Sequence, residues 1–172
     1  EAIARYLMNE GVSIRCGIAY RSVRNADGGV EVEIAERDGP ISVIRANALL
    51  VATGRMPNIE GLGLDELGIQ HTTRRGIRVD DRLRTTRPGV YAAGDVTGRD
   101  MFVYMAAYGG KIAVENALNG DTVRYDSTAT PEVIFTDPQA ASVGLTEIAA
   151  RQRGFDPKSV VLPLDQVPRA LA

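Results

Sequence analysis

Two short, unbroken apolar runs constrain this chain most, because each stops on a glycine. Leu49-Leu50-Val51-Ala52 runs into Thr53-Gly54, and Val90-Tyr91-Ala92-Ala93 runs into Gly94-Asp95. An unbroken run, unlike an alternating one, suits a central strand covered on both faces. In open α/β sheets, ligands bind at the carboxyl ends of such strands. The pattern therefore predicts an α/β fold with buried strands at 49–52 and 90–93.

The flanking sequence supplies other elements. Ile3, Tyr6 and Leu7 share one helical face, and Gly11 stands where a left-handed cap is expected, so residues 1–10 read as a helix. Val12 to Ile18 reads as a short buried strand, continued extended to Arg24. Asn25 to Gly29 is a turn. Val30, Val32 and Ile34 alternate with Glu31 and Glu33, the period of a half-exposed strand. Asp38-Gly39-Pro40 turns the chain again and Ile41 to Arg45 returns, completing an antiparallel meander.

From Arg55 to Gly76 the sequence is loop-rich, with one helical turn at Leu64 to Leu67 and a short strand at Ile77 to Val79. A helix is predicted from near Phe102 to Asn119-Gly120. Its buried stripe is read as Val103, Ala107, Gly110, Val114 and Ala117. Small residues Ala106, Ala107, Gly109 and Gly110 permit tight packing. Beyond Tyr125, strands are expected at Val133 to Phe135 and Ala141 to Gly144. A helix from Thr146 to Arg153 stops at Gly154, and a last strand begins at Val160 to Leu162.

Composition excludes some classes. With 44% hydrophobic and 24% charged residues the chain is ordinary globular material, not disordered. A net charge of −2 gives no reason to expect nucleic acid or a membrane surface as partner. No apolar run reaches the roughly 20 residues that span a bilayer. The single cysteine, Cys16, excludes an internal disulfide framework and a cysteine metal site, and fits a cytoplasmic setting.

The chemistry gathers in Thr85-Thr86-Arg87-Pro88-Gly89-Val90-Tyr91-Ala92-Ala93-Gly94-Asp95. Gly94 lets another group approach the backbone, and the Asp95 carboxylate can accept from sugar-like hydroxyls. Asp95 can equally cap a turn or the next helix. The helix start at Phe102, Val103 and Tyr104 faces the same strand end, and free N–H groups there favour an anion or a carbonyl oxygen. Gly54 reads as a domain crossover, or as a place where a cofactor touches the backbone. Cys16 ends a predicted strand and is assigned a structural role. His71 is expected to be solvent-exposed, and Arg74, Arg75, Arg78, Arg82 and Arg84 to form a solvated face.

Ala52-Thr53-Gly54-Arg55-Met56-Pro57-Asn58, paired with the Thr85 to Asp95 segment, resembles the pyridine nucleotide-disulfide oxidoreductases with two dinucleotide folds. Thr136-Asp137-Pro138-Gln139-Ala140-Ala141-Ser142-Val143-Gly144 resembles the start of their interface domain. Within that family, Met101 to Ala107 and Leu164 to Ala172 resemble the mercuric reductases. Dihydrolipoamide dehydrogenases usually carry an Ala-His pair in the first segment and Asn-Gly-Arg-Ala in the second.

The resemblance implies FAD and NADPH as cofactors. Asp95 would bind the ribityl chain of FAD, and the Val103 N–H would meet the flavin ring, with Gly94, Phe102 and Tyr104 beside it. Gly54 would lie beside NADPH. It further implies that residues 1–55 complete an NAD(P)H domain, 56–124 complete an FAD domain, and 125–172 open a dimerisation domain of α+β type. Hg(II) would be the substrate and a homodimer the assembly. The chain has no Gly-x-Gly-x-x-Gly loop, no Cys-x-x-x-x-Cys pair and no vicinal cysteines. No catalytic or metal-binding residue is therefore assigned, and the chain reads as an internal fragment that is inactive alone. Dihydrolipoamide dehydrogenase is the alternative enzyme, and a non-catalytic interaction module the alternative of another class.

Overall fold

The computed structural model describes residues 2–36 and 39–167. Asp38 of the second expected turn and residues 168–172 of the Leu164 to Ala172 segment lie outside them. The chain divides into two compact units, one of Glu1–Arg55 with Phe135–Ala140, the other of Met56–Ile134 with Ala141–Ala172.

The first unit opens with helix α1 (Ala2–Asn9). The Val12 N–H donates to the Leu7 carbonyl and the Gly11 N–H to that of Met8, a Schellman stop. Residues 12–17 then lie outside any strand, and Val12 and Cys16 are exposed. The expected strand begins only at Ile18, so Cys16 ends no strand. The meander is present: β1 (Ile18–Ala26), β2 (Gly29–Glu36) and β3 (Ile41–Ala46) pair antiparallel with β2 central.

Alternation along β2 predicts that Glu31 faces water, yet it is buried. The register explains this, because Arg24 and Arg45 stand directly opposite Glu31 on the two neighbouring strands. Their Nε atoms donate to its two carboxylate oxygens at 2.6 and 2.7 Å. The side chains roof the face that alternation assigns to solvent. These bonds, from Arg24 and then Arg45, hold the Glu31 carboxyl below its ordinary value.

The run Leu49 to Ala52 is not a strand, and Leu50 is 89% exposed. An unbroken apolar run forms a central strand only with a strand on each side and a layer on each face. The described residues supply neither. Val160 to Leu162, also expected as a strand, is likewise unpaired and exposed.

The second unit packs Ile59, Leu64, Ile69, Ile77 and Ala92 into one core, with Val79, Val90 and Val96 against it. Hydrogen-bonded turns cover Leu64 to Gly68, and a two-residue ladder joins β4 (His71–Thr72) to β5 (Gly76–Ile77). A Cβ on Gly76 would stand 2.1 Å from the Val96 carbonyl oxygen, so only glycine lets β5 lie against residues 96–98. Residues 83–85 pair with 90–92: Ala92 N–H donates to Leu83, Thr85 N–H to Val90, and Arg84 bridges Tyr91.

Helix α2 (Val103–Asn119) ends at Gly120 as expected. Its buried stripe is Met105, Gly109, Ile112 and Asn116, not the predicted one. Val103 is 84% exposed and Val114 59%. The helix carries two apolar faces, and amphipathicity does not say which turns inward. Hairpin β6 (Pro131–Ile134) and β7 (Ala140–Val143) follows. Helix α3 (Glu147–Gln152) then starts where Thr146 Oγ1 accepts from the Ala149 N–H. Among the described residues no helix is long and apolar enough to cross a membrane.

Candidate functional site

Residues 90–93, expected as a buried strand, form only an isolated bridge of Tyr91 with Arg84, because among the described residues no neighbouring strand pairs with them further, and a polar frame fixes this extended segment, which delivers Gly94 and Asp95. Arg84 donates to Asp80 at 2.7 Å and to Asp121 at 3.1 Å, and the Tyr91 hydroxyl donates to Asp121 at 2.8 Å. Partial burial pushes the Asp80 carboxyl up, but bonds from the Arg84 side chain and from the Arg82 and Arg84 N–H groups hold it below its ordinary value. Asp121 pushes the Tyr91 hydroxyl up. Arg82 and Arg84 are thus committed to carboxylates and a carbonyl, not a freely solvated face.

Past Ala93 the chain enters a 3-10 turn, Gly94–Thr97. The buried Thr97 hydroxyl donates to the Gly94 carbonyl at 2.7 Å. Gly94 has φ 76°, and a Cβ there would stand 3.1 Å from the Cβ of Ala106. The turn at Gly94 therefore touches the first turn of α2. This contact brings five of the six predicted site residues, Gly94, Asp95, Phe102, Val103 and Tyr104, into one region of the second unit. Asp95 is half-buried there. Gly54, in the first unit, has φ 111° and open space where a Cβ would go.

The start of α2 is held without a side-chain cap. Phe102, at the N-cap, is extended and makes no side-chain cap bond. The N–H groups of Val103, Tyr104 and Met105 precede the first intrahelical bond, made by Ala106 to the Phe102 carbonyl. An uncapped, partly exposed first turn favours an external oxygen acceptor, and one such terminus contributes roughly 0.3–1 kcal/mol.

Side chains that local sequence did not single out secure this start. Asp100 sits at φ 38°, and its carbonyl accepts from the Phe102 N–H at 2.6 Å. Tyr125 donates to the Asp100 carboxylate at 3.0 Å, and Arg99 lies over its ring. Burial, then this bond, pushes the Tyr125 hydroxyl up to about 12. Only the aspartate-rich loop before an apolar helix hinted at them. Their partners are tens of residues away.

An open cleft of about 920 Å³ lies elsewhere and is lined by His71, Arg75, Arg78 and Arg99 among others. Arg78 is held by Gln70, and Arg99 reaches the Asp80 carbonyl. His71 is half-buried rather than exposed, with Nδ1 3.0 Å from the Ile69 carbonyl, because the β4 turn folds it inward. Among the described residues no group of three or more potential metal ligands exists.

Residues 1–110 match the family described as pyridine nucleotide-disulphide oxidoreductase, and residues 130–172 match its dimerisation domain. A mercuric reductase of Bacillus cereus is 42% identical over 171 residues, 99% of this chain and 27% of that protein. A dihydrolipoyl dehydrogenase of Geobacillus stearothermophilus is 36% identical over 99% of the chain and 36% of its own length. The HOCl-induced flavoprotein disulfide reductase RclA of Escherichia coli superposes with a TM-score of 0.80 at 32% identity, over 97% of this chain and 38% of that one. LpdA of Mycobacterium tuberculosis gives 0.82 at 30% identity, over 99% of this chain and 36% of that one. The chain thus spans roughly a third of its relatives' length.

Proposed function

The chain belongs to the pyridine nucleotide-disulphide oxidoreductases, and from that premise we propose that it forms part of the FAD site of a mercuric reductase. One observation carries the reading: the first turn of α2, which has no side-chain cap from Phe102, lies against the Gly94-Asp95 turn. This donor set fits a flavin. A carboxylate on a fixed turn suits ribityl hydroxyls, and N–H groups of a helix start suit carbonyl oxygens of a ring.

FAD, when bound, supplies two-electron chemistry between a nicotinamide cofactor and thiols. Asp95 would hold its ribityl chain, and the Val103 N–H would face its ring. Phe102 and Tyr104, whose rings stack at 5.3 Å, would wall that edge. Gly54 would admit NADPH to the backbone. Residues 1–55, 56–124 and 125–172 would complete the NADPH domain, complete the FAD domain and open the dimerisation domain of a cytoplasmic homodimer. Overall, two electrons of NADPH would pass to Hg(II), giving NADP⁺, H⁺ and Hg(0). With one cysteine in this chain, the thiols would come from outside it.

Dihydrolipoamide dehydrogenase is the second reading, favoured by the relative of that name. The Met101 to Ala107 segment, in which such dehydrogenases usually carry an Ala-His pair that this chain lacks, supports the mercuric reading. In the intact flavoprotein, Asp95→Ala is expected to weaken FAD retention without unfolding the protein. Full flavin content after gel filtration would remove the ribityl role. Mercury-dependent NADPH oxidation against dihydrolipoamide-dependent NAD⁺ reduction separates the two enzymes.

A further inference from the structure

We propose that Tyr104 is a positioning residue, tying the flavin-facing first turn of α2 to the opening strand of the dimerisation segment. The proposal rests on the flavin reading of that turn. The Tyr104 hydroxyl donates to the carbonyl of Pro131, the first residue of β6 and inside the dimerisation match. Its ring lies flat on Phe102, with 8° between the planes. Val103 stands between these two residues, so hydroxyl and stack together fix the peptide that presents its N–H. Pro131 opens β6, and the pairing of β6 with β7 holds the backbone that carries this carbonyl.

One turn further, the same stitch repeats more weakly. The Asp126 N–H donates to the Tyr108 hydroxyl at 3.4 Å, and Tyr108 packs on Tyr125 at 5.3 Å. Three tyrosines thus fasten the helix start to residues 125–131. Tyr104 is the one adjacent to the proposed donor. A helix start anchored this way keeps its N–H groups aimed without rearrangement as charge develops opposite them.

The test uses the intact FAD-loaded dimer. Tyr104→Phe keeps the ring and removes the hydroxyl. It should lower the equilibrium constant for flavin reduction about three- to ten-fold, a midpoint potential about 15–30 mV more negative. Amide exchange at residues 103–105 should quicken by a similar factor. Tyr108→Phe should change neither. Unchanged potential and exchange in Tyr104→Phe would overturn the proposal, as would an equal shift in Tyr108→Phe. If Tyr104→Phe loses its flavin, exchange of the Ala106 N–H, which bonds the Phe102 carbonyl, decides in the flavin-free dimer, and a wild-type rate there overturns the proposal. Val103→Pro separates the two readings. If it leaves the potential untouched, the flavin-facing assignment fails. If it shifts the potential and Tyr104→Phe does not, only the tether fails.

Discussion

The Cβ that Gly94 lacks would stand 3.1 Å from the Cβ of Ala106, which sets how closely its turn meets helix α2. Gly89 shares the same φ of 76° but has open space around it. The pair separates backbone strain from crowding. Gly89→Ala is expected to cost about 1 kcal/mol from the left-handed conformation alone. Gly94→Ala should cost about 1–3 kcal/mol more from overpacking and should loosen FAD. Denaturation midpoints of the two variants, measured side by side, check this. Equal costs would mean that the helix yields freely.

Asn116 is 1% exposed and holds three backbone groups, donating to the Arg82 and Val123 carbonyls and accepting from the Val123 N–H. Asn116→Leu keeps the volume and strands all three. The expected loss is about 3 kcal/mol or more, read from the shift in denaturation midpoint. A loss under about 1 kcal/mol would show that water replaces the amide.

Much of this layout was legible in the sequence, and the failures share a cause. The meander, α2 and the Thr146 cap follow from period and capping, which are local. Leu49 to Ala52 and Val160 to Leu162 failed because burial of an apolar run depends on strands that the run cannot specify. The stripe of α2 failed because small residues line both of its faces. Glu31 was assigned to solvent because alternation knows nothing of two arginines on neighbouring strands. For the candidate site, Gly94, Asp95 and the helix start were singled out as strand-end chemistry, but residues 90–93 form only an isolated bridge at Tyr91, since the run could not specify strands to pair with. The Tyr104 and Tyr125 anchors were not, since each bridges at least 25 residues.

Alkaline titration reports on the Tyr125 anchor. Its hydroxyl is raised from 10.0 to about 12, so the folded state prefers the neutral phenol. The stability this contributes is complete below pH 10 and fades as pH rises through about 12. Ultraviolet difference titration should show Tyr125 ionising late, as Tyr91 also does beside Asp121, and Tyr125→Phe should remove its share of the late step. A wild-type curve in which every tyrosine ionises near its ordinary value would contradict the Asp100 bond.

The chain by itself should not oxidise NADPH on addition of Hg(II). It holds one cysteine, exposed, and no thiol pair to receive electrons. Mercury-dependent loss of NADPH absorbance with the purified chain would contradict the assignment of the thiols to other parts of the protein.

Val103→Pro tests the helix start with the least disturbance. Val103 is the first helical residue, where proline is tolerated because its missing N–H has no intrahelical acceptor. The preceding residue suits it as well. Phe102 is already extended at φ −120° and ψ 142°, the region that a following proline demands. The substitution therefore removes one donor and leaves the helix in place. FAD affinity is expected to fall about three- to ten-fold, the worth of one hydrogen bond. Far-ultraviolet circular dichroism should not change, and fluorescence titration of the flavin-free protein gives the affinity. Wild-type affinity with an intact helix would mean that the first turn of α2 faces something other than the flavin ring.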